Sequence, residues 1–164
     1  MPRVRHDHQG ALRDLGRPHG VGAPPAEPAR GELTEQDQAQ LDLIACLPDR
    51  VAELLEGYRF KDALNEVMAA ARDGNKYFDY RQPWALRKSD LAACGTVINV
   101  CLNTLKVLTV VMEPFLPFAA ARTAAMLSAA AEELTWQAAA EPLPEGRPLG
   151  EPAILFEKLE LPEE

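Results

Sequence analysis

An all-α bundle is the fold class this sequence predicts, and three observations predict it. Composition is 47% hydrophobic, rich in Ala and Leu, with only 6% aromatic residues, a mixture that favours helices over a β-sandwich. Apolar residues recur at helical spacing over long stretches. Residues 94–112, CGTVINVCLNTLKVLTVVM, are apolar nearly all round, as a helix at the centre of a bundle must be. The length, 164 residues, suits one domain with a real core.

Residues 1–30 stand apart. They hold five Pro, four Gly, five Arg and all three His, carry a net charge of +2, and show no helical period. They read as a disordered arm, so the expected division is an arm over 1–30 and a helical domain over 31–164. His6 and His8 have no second ligand pair to close a metal site.

Order is expected from Thr34, where Thr34-Glu-Gln-Asp37 has the form of a capping box. Leu41, Ile44, Ala45, Val51, Leu54, Leu55 and Tyr58 continue a helical period that Pro48 should kink or split. Phe60, Ala63, Leu64, Val67, Met68 and Ala71 place a second helix, with Gly74 as a candidate bend. Pro83 disfavours αR geometry at Gln82, so a turn is expected there. Ser89 is the expected cap of a third helix running to about Met112. Pro114 and Pro117 should break the chain before an Ala-rich helix over roughly 118–131. Six Pro and Gly residues within 141–152 read as an extended loop, and Ile154 to Leu161 as a strand-like or irregular tail docked on the bundle.

Several functions are excluded. The net charge is −8, so no general affinity for nucleic acid is expected and DNA is not an expected partner. Cys46, Cys94 and Cys101 form no CxxC pair, which argues against zinc and for a reducing compartment. No secretory leader is visible. The 94–112 helix is long enough to span a bilayer, but Lys106 near its centre would be costly there; a buried helix of a folded domain is the expected reading. No phosphate-binding Gly-rich loop and no GxSxG occurs, and no His follows residue 19. No catalytic residue and no metal ligand is therefore expected.

One stretch is positive. Between Arg72 and Lys88 lie five cations and two acids, +3, whereas the rest of 31–164 is −13. Within it, GNKYFDYRQPWALRK interleaves Tyr77, Phe78, Tyr80 and Trp84 with Lys76, Arg81, Arg87 and Lys88. Aromatic faces stack on splayed bases and cations neutralise phosphates, so single-stranded RNA loops are a natural target. The same aromatics can equally be core residues at a helix end beneath solvated cations. Trp84, after Pro83 at a turn, is open to either role.

The run ALNEVMAAARDGNKYFDYRQPWALRK resembles the anticodon-binding helical domain of methionyl-tRNA synthetases, a class I enzyme family. The family pattern of Asn-x-Tyr, then Pro-Trp, then a basic residue is matched by Asn75, Tyr77, Pro83, Trp84 and Lys88. Ala93 to Asn103, the EPFLPFAA turn at 113–120 and LPEGRPLGEPAILFEKLE at 143–160 match further segments in order, so the resemblance covers about residues 31–161.

The resemblance implies a helical bundle appended to a Rossmann-type catalytic domain, recognising the CAU anticodon of methionine tRNA in a cytoplasmic ligase of protein biosynthesis. It implies that Trp84 is an anticodon contact. Pro83, Asn75, Tyr77, Arg87 and Lys88 complete the candidate RNA-binding set. Asn75 is expected to bond backbone and Tyr77 to pack. The catalytic His-Ile-Gly-His and Lys-Met-Ser-Lys-Ser signatures and the zinc knuckle are absent, so ATP and methionine would bind a catalytic domain this chain lacks, and the chain alone should be inactive. The family's first bundle helix, with its own Asn and Arg, has no counterpart in residues 1–30, which contain no Asn; an uncovered apolar groove is expected. Expected partners are methionine tRNA and a separate catalytic domain or synthetase partner, with no membrane. The alternative is a helical protein-interaction fragment related to the synthetase that no longer binds tRNA.

Overall fold

The computed structural model describes residues 31–156. The arm assigned to 1–30 and the end of the tail, with Leu159 and Leu161, lie outside the described residues. The elements are α1 (Glu35–Ala45), α2 (Leu47–Glu56), α3 (Phe60–Arg81), α4 (Pro83–Ser89), α5 (Leu91–Met112), α6 (Pro117–Met126) and a 3-10 turn (Ala131–Leu134). The fold is all-α, with no strand among the described residues.

Local chemistry sets most boundaries. The Thr34–Asp37 capping box starts α1, satisfying otherwise orphaned N–H groups. Pro48 falls in the first turn of α2, where its missing N–H costs nothing, and the helix is split as expected. Gln82 takes left-handed backbone (φ 47°, ψ 59°) ahead of Pro83, so α3 ends and α4 leaves in a new direction.

Three expectations are corrected. Gly74 is not a bend: α3 runs straight through it. A Cβ there would meet Thr104 Cγ2 of α5 at 3.2 Å, so the glycine permits close approach of two helices. Ser89 does not cap α5. It ends α4, and Asp90, in extended backbone, accepts from Ala93 N–H at 2.9 Å. The Ala-rich helix ends at Met126, and Ser128 with φ 48° closes it.

The core sits between α1, α2, α3 and α5, around Ile44, Leu47, Val51, Ala63, Val67, Val107 and Val111. A second cluster joins Tyr77, Val97 and Val100 with Leu41, Leu86 and Cys101. Most of α5 is buried within the domain, and its polar residues are all engaged. Thr104 and Thr109 donate to carbonyls four residues back. Asn103 donates to Asn99 O and accepts from Leu143 N–H at 2.8 Å. Lys106 Nζ donates to Ala138 O and Glu141 O, each at 2.7 Å. Side chains that would be costly in lipid therefore hold the 138–143 segment against α5. Further on, Gly150 N–H donates to Met126 O at 2.8 Å, and Arg122 donates to Ile154 O and Leu155 O. The described part of the tail, to Phe156, is irregular and held through its backbone, with the Ile154 and Phe156 side chains exposed.

Among the described residues, no element covers one apolar stripe of α3. Phe60, Leu64 and Met68, one turn apart, are all exposed, with Tyr58 beside Phe60.

Candidate nucleic-acid interface

The end of α3, the left-handed Gln82 and the short α4 build one edge of the domain. Pro83 is buried, and its carbonyl accepts from Cys94 Sγ of α5 at 3.4 Å. Leu86 packs on the Tyr77 cluster. These contacts fix α4 so that Trp84, one residue past Pro83, faces outward with 50% of its surface exposed. Its indole meets the Phe78 ring at a centroid distance of 5.5 Å and a 56° tilt, within the range of favourable aromatic pairs. Phe78 is itself 38% exposed. The pair forms a two-ring ledge at the turn.

The cations divide into engaged and available. Lys76 pairs with Asp73 at 2.8 Å, and Arg81 Nε lies 3.1 Å from Asp37 Oδ1. Arg72, Arg87 and Lys88 are exposed and have no ion-pair partner among the described residues. Arg87 and Lys88 share α4 with Trp84.

The remaining candidates sit differently. Tyr77 is buried: it packs against Val97 and Val100, and its hydroxyl donates to Asp37 Oδ1 at 2.6 Å. Its packing was expected. Asn75 is exposed on α3, and its side chain makes no hydrogen bond among the described residues, so the expected bond to backbone is absent. It shares a side of the helix with Arg72 and Phe78, three residues either way. Two residues of this edge carry no distinguishing signal in the sequence. Nothing in the sequence separates Phe78, four residues before Gln82, from the nearer Tyr80 as the ring that meets the indole. The sequence marks Asp37 as a cap, and nothing local signals its bond from Tyr77 or its pairing with Arg81.

Electrostatics follow from burial. Asp37 is fully buried. Burial pushes its carboxyl up, but hydrogen bonds from Tyr77 and Thr34 and the Arg81 charge outweigh this and leave it below the ordinary value. The Tyr77 phenol is raised well above its ordinary value by burial and by the adjacent carboxylate. Burial pushes the Cys101 thiol up to about 11, so it is no ready thiolate. Among the described residues no three His, Cys, Asp or Glu side chains converge as a metal site.

The family described as the anticodon binding domain of methionyl tRNA ligase matches residues 27–164, and the chain belongs to that family. It is 42% identical over 132 residues to a methionine–tRNA ligase of Pyrococcus abyssi, covering 80% of this chain and 18% of that protein. With the methionine–tRNA ligase of Porphyromonas gingivalis the identity is 39% over 137 residues, covering 82% of this chain and 20% of the relative. The apo methionyl-tRNA synthetase of Mycobacterium tuberculosis superposes with a TM-score of 0.79 at 27% identity, over 84% of this chain and 28% of that one. The methionyl-adenylate-bound form gives 0.76 over 80% and 27%. The chain thus spans about a fifth of the length of the curated relatives it matches.

Proposed function

We propose that this domain binds the anticodon loop of methionine tRNA, reads CAU, and so supports aminoacylation by a cytoplasmic methionine–tRNA ligase. Joining methionine to tRNA with ATP belongs to a catalytic domain outside this chain, and that domain and the tRNA are the partners. The observation that carries the reading is the exposed Trp84–Phe78 ledge on a Pro83-fixed turn, with Arg87 and Lys88 on the same short helix and Arg72 on α3, none of them ion-paired among the described residues. An unpaired loop base can stack on the indole while the cations meet its phosphates. Trp84 is the proposed base contact, with Arg87 and Lys88 at the backbone. Asn75 reaches solvent on the same edge, and Pro83 and Tyr77 support the turn from within.

The test is a fluorescence-anisotropy titration of the chain with a CAU anticodon stem-loop and with the same stem-loop carrying a changed anticodon, starting at low salt. Tighter binding of the CAU loop is the expected result. Equal affinities would refute the reading.

The open apolar stripe of Phe60, Leu64 and Met68 supports a second reading, a helical module that docks on protein through α3. That module would show no preference between the two loops.

A further inference from the structure

A buried carboxylate is expensive, and Asp37 is fully buried. Capping α1 does not require this, because a capping box works at the surface. Only one of its oxygens serves the cap: Oδ2 accepts from Thr34 N–H and Thr34 Oγ1, each at 2.8 Å. The other oxygen points to the far end of α3. Oδ1 accepts from the Tyr77 hydroxyl at 2.6 Å and lies 3.1 Å from Arg81 Nε. Tyr77 and Arg81 are one turn apart and enclose Phe78, which faces outward against Trp84. One residue after Arg81 the chain enters the left-handed Gln82.

α4 is held to α5 through Cys94, Pro83 and Leu86. The last turn of α3, which supplies the other half of the ledge, needs an anchor of its own, because the backbone after it leaves in a new direction. Asp37 gives it one, gripping the residue before Phe78 and the residue three after it. We propose that Asp37, acting through Tyr77, is a positioning residue for anticodon-loop recognition: it holds Phe78 in register with Trp84 and so presets the stacking ledge. This rests on the anticodon-binding reading above. Asp37 touches no RNA; its effect passes through the end of α3.

The full chain with Trp136→Phe, so that Trp84 is the sole indole, is compared with the same chain carrying Asp37→Asn, Tyr77→Phe or Val67→Ala. Val67 is a core residue remote from the ledge chemistry and controls for lost stability alone. Each protein is melted, titrated with both stem-loops below its melting range, and quenched with acrylamide. Asp37→Asn and Tyr77→Phe should weaken CAU binding about 5–10-fold, part of the worth of one base stack, and raise acrylamide access to Trp84. Val67→Ala should lower the melting temperature while leaving both readouts as they were. Should Asp37→Asn melt too low to titrate, Tyr77→Phe decides the matter, since it keeps the ring and removes only the hydroxyl. Unchanged affinity and quenching in Tyr77→Phe would overturn the inference, as would an equal loss in Val67→Ala. A parent chain that fails to distinguish the loops overturns the anticodon reading and this inference together, and shows itself before any variant is made.

Discussion

The Tyr77 hydroxyl donates to the buried Asp37 carboxylate at 2.6 Å, joining the first turn of α1 to the last turns of α3 across 40 residues. Both groups titrate away from their ordinary values, in opposite directions. Asp37 is lowered, so its contribution is present above the unfolded carboxylate value and lost as pH falls through the lower folded one. Tyr77 is raised, so its contribution is present below the unfolded phenol value of about 10 and lost as pH rises beyond it. Tyr77→Phe should cost about 1–2 kcal/mol near neutral pH. Melts from pH 7 to 11 should show that cost shrinking above about pH 10. A constant difference across that range would contradict the assignment.

Lys106 should show another signature. Burial lowers its ammonium, with Glu133 and Glu141 opposing, yet Nζ satisfies two loop carbonyls. Lys106→Met strips both carbonyls of their donor and should cost about 2 kcal/mol. The lowered folded value means that the wild type gains stability relative to Lys106→Met as pH rises through it towards the unfolded lysine value of about 10.4. A neutral amine still has two hydrogens for the two carbonyls, so the loop stays bonded. Denaturant titrations of both proteins at pH 7 and 10 measure the change.

Signals confined to one helical turn were legible in the sequence. The Thr34–Asp37 cap, the break at Pro48 and the turn at Pro83 each depend on residues a few positions apart, and each is present. What depends on a neighbour from another helix was not. Gly74 has the composition of a bend, and only the nearness of Thr104 makes it a packing residue. Ser89 and Asp90 are both good caps, and the choice falls to the residue with extended backbone once α4 has claimed the other. At the candidate interface the aromatic and cationic content was legible, but not which aromatic faces out. Tyr77 and Phe78 are adjacent, and helical geometry sends one to Asp37 and the other to Trp84.

Gly150 tests the docking of the tail. A Cβ there would lie 2.3 Å from Ala125 O, a backbone atom at the end of α6 that cannot step aside. Gly150→Ala should destabilise by about 1–3 kcal/mol, as overpacking does, and should loosen the Arg122 bonds to Ile154 and Leu155. Faster amide exchange at Gly150, whose N–H bonds Met126 O, is the expected local readout. A melt like that of wild type would mean that the tail does not rest there.

Trp84 carries the remaining prediction. Half its surface is exposed, and its indole packs against the Phe78 ring. Trp84→Ala should therefore leave the fold in place, because little core packing is removed. It should weaken binding of a CAU stem-loop by about 1–3 kcal/mol, the usual worth of one base stack. The neighbouring cations should respond in another way. Arg87→Ala or Lys88→Ala should weaken all stem-loops alike and flatten the dependence of log Kd on log salt by about 0.7 per lost phosphate contact. Stacking carries little of that salt dependence, so Trp84→Ala should keep the wild-type slope. Titrations of each variant with CAU and changed-anticodon loops at three salt concentrations separate the two effects. If Trp84→Ala binds the CAU loop as wild type does while its melt is lowered, the indole is a packing residue and the protein-docking reading gains. If its affinity falls for the CAU loop alone and its slope is unchanged, the indole reads a base.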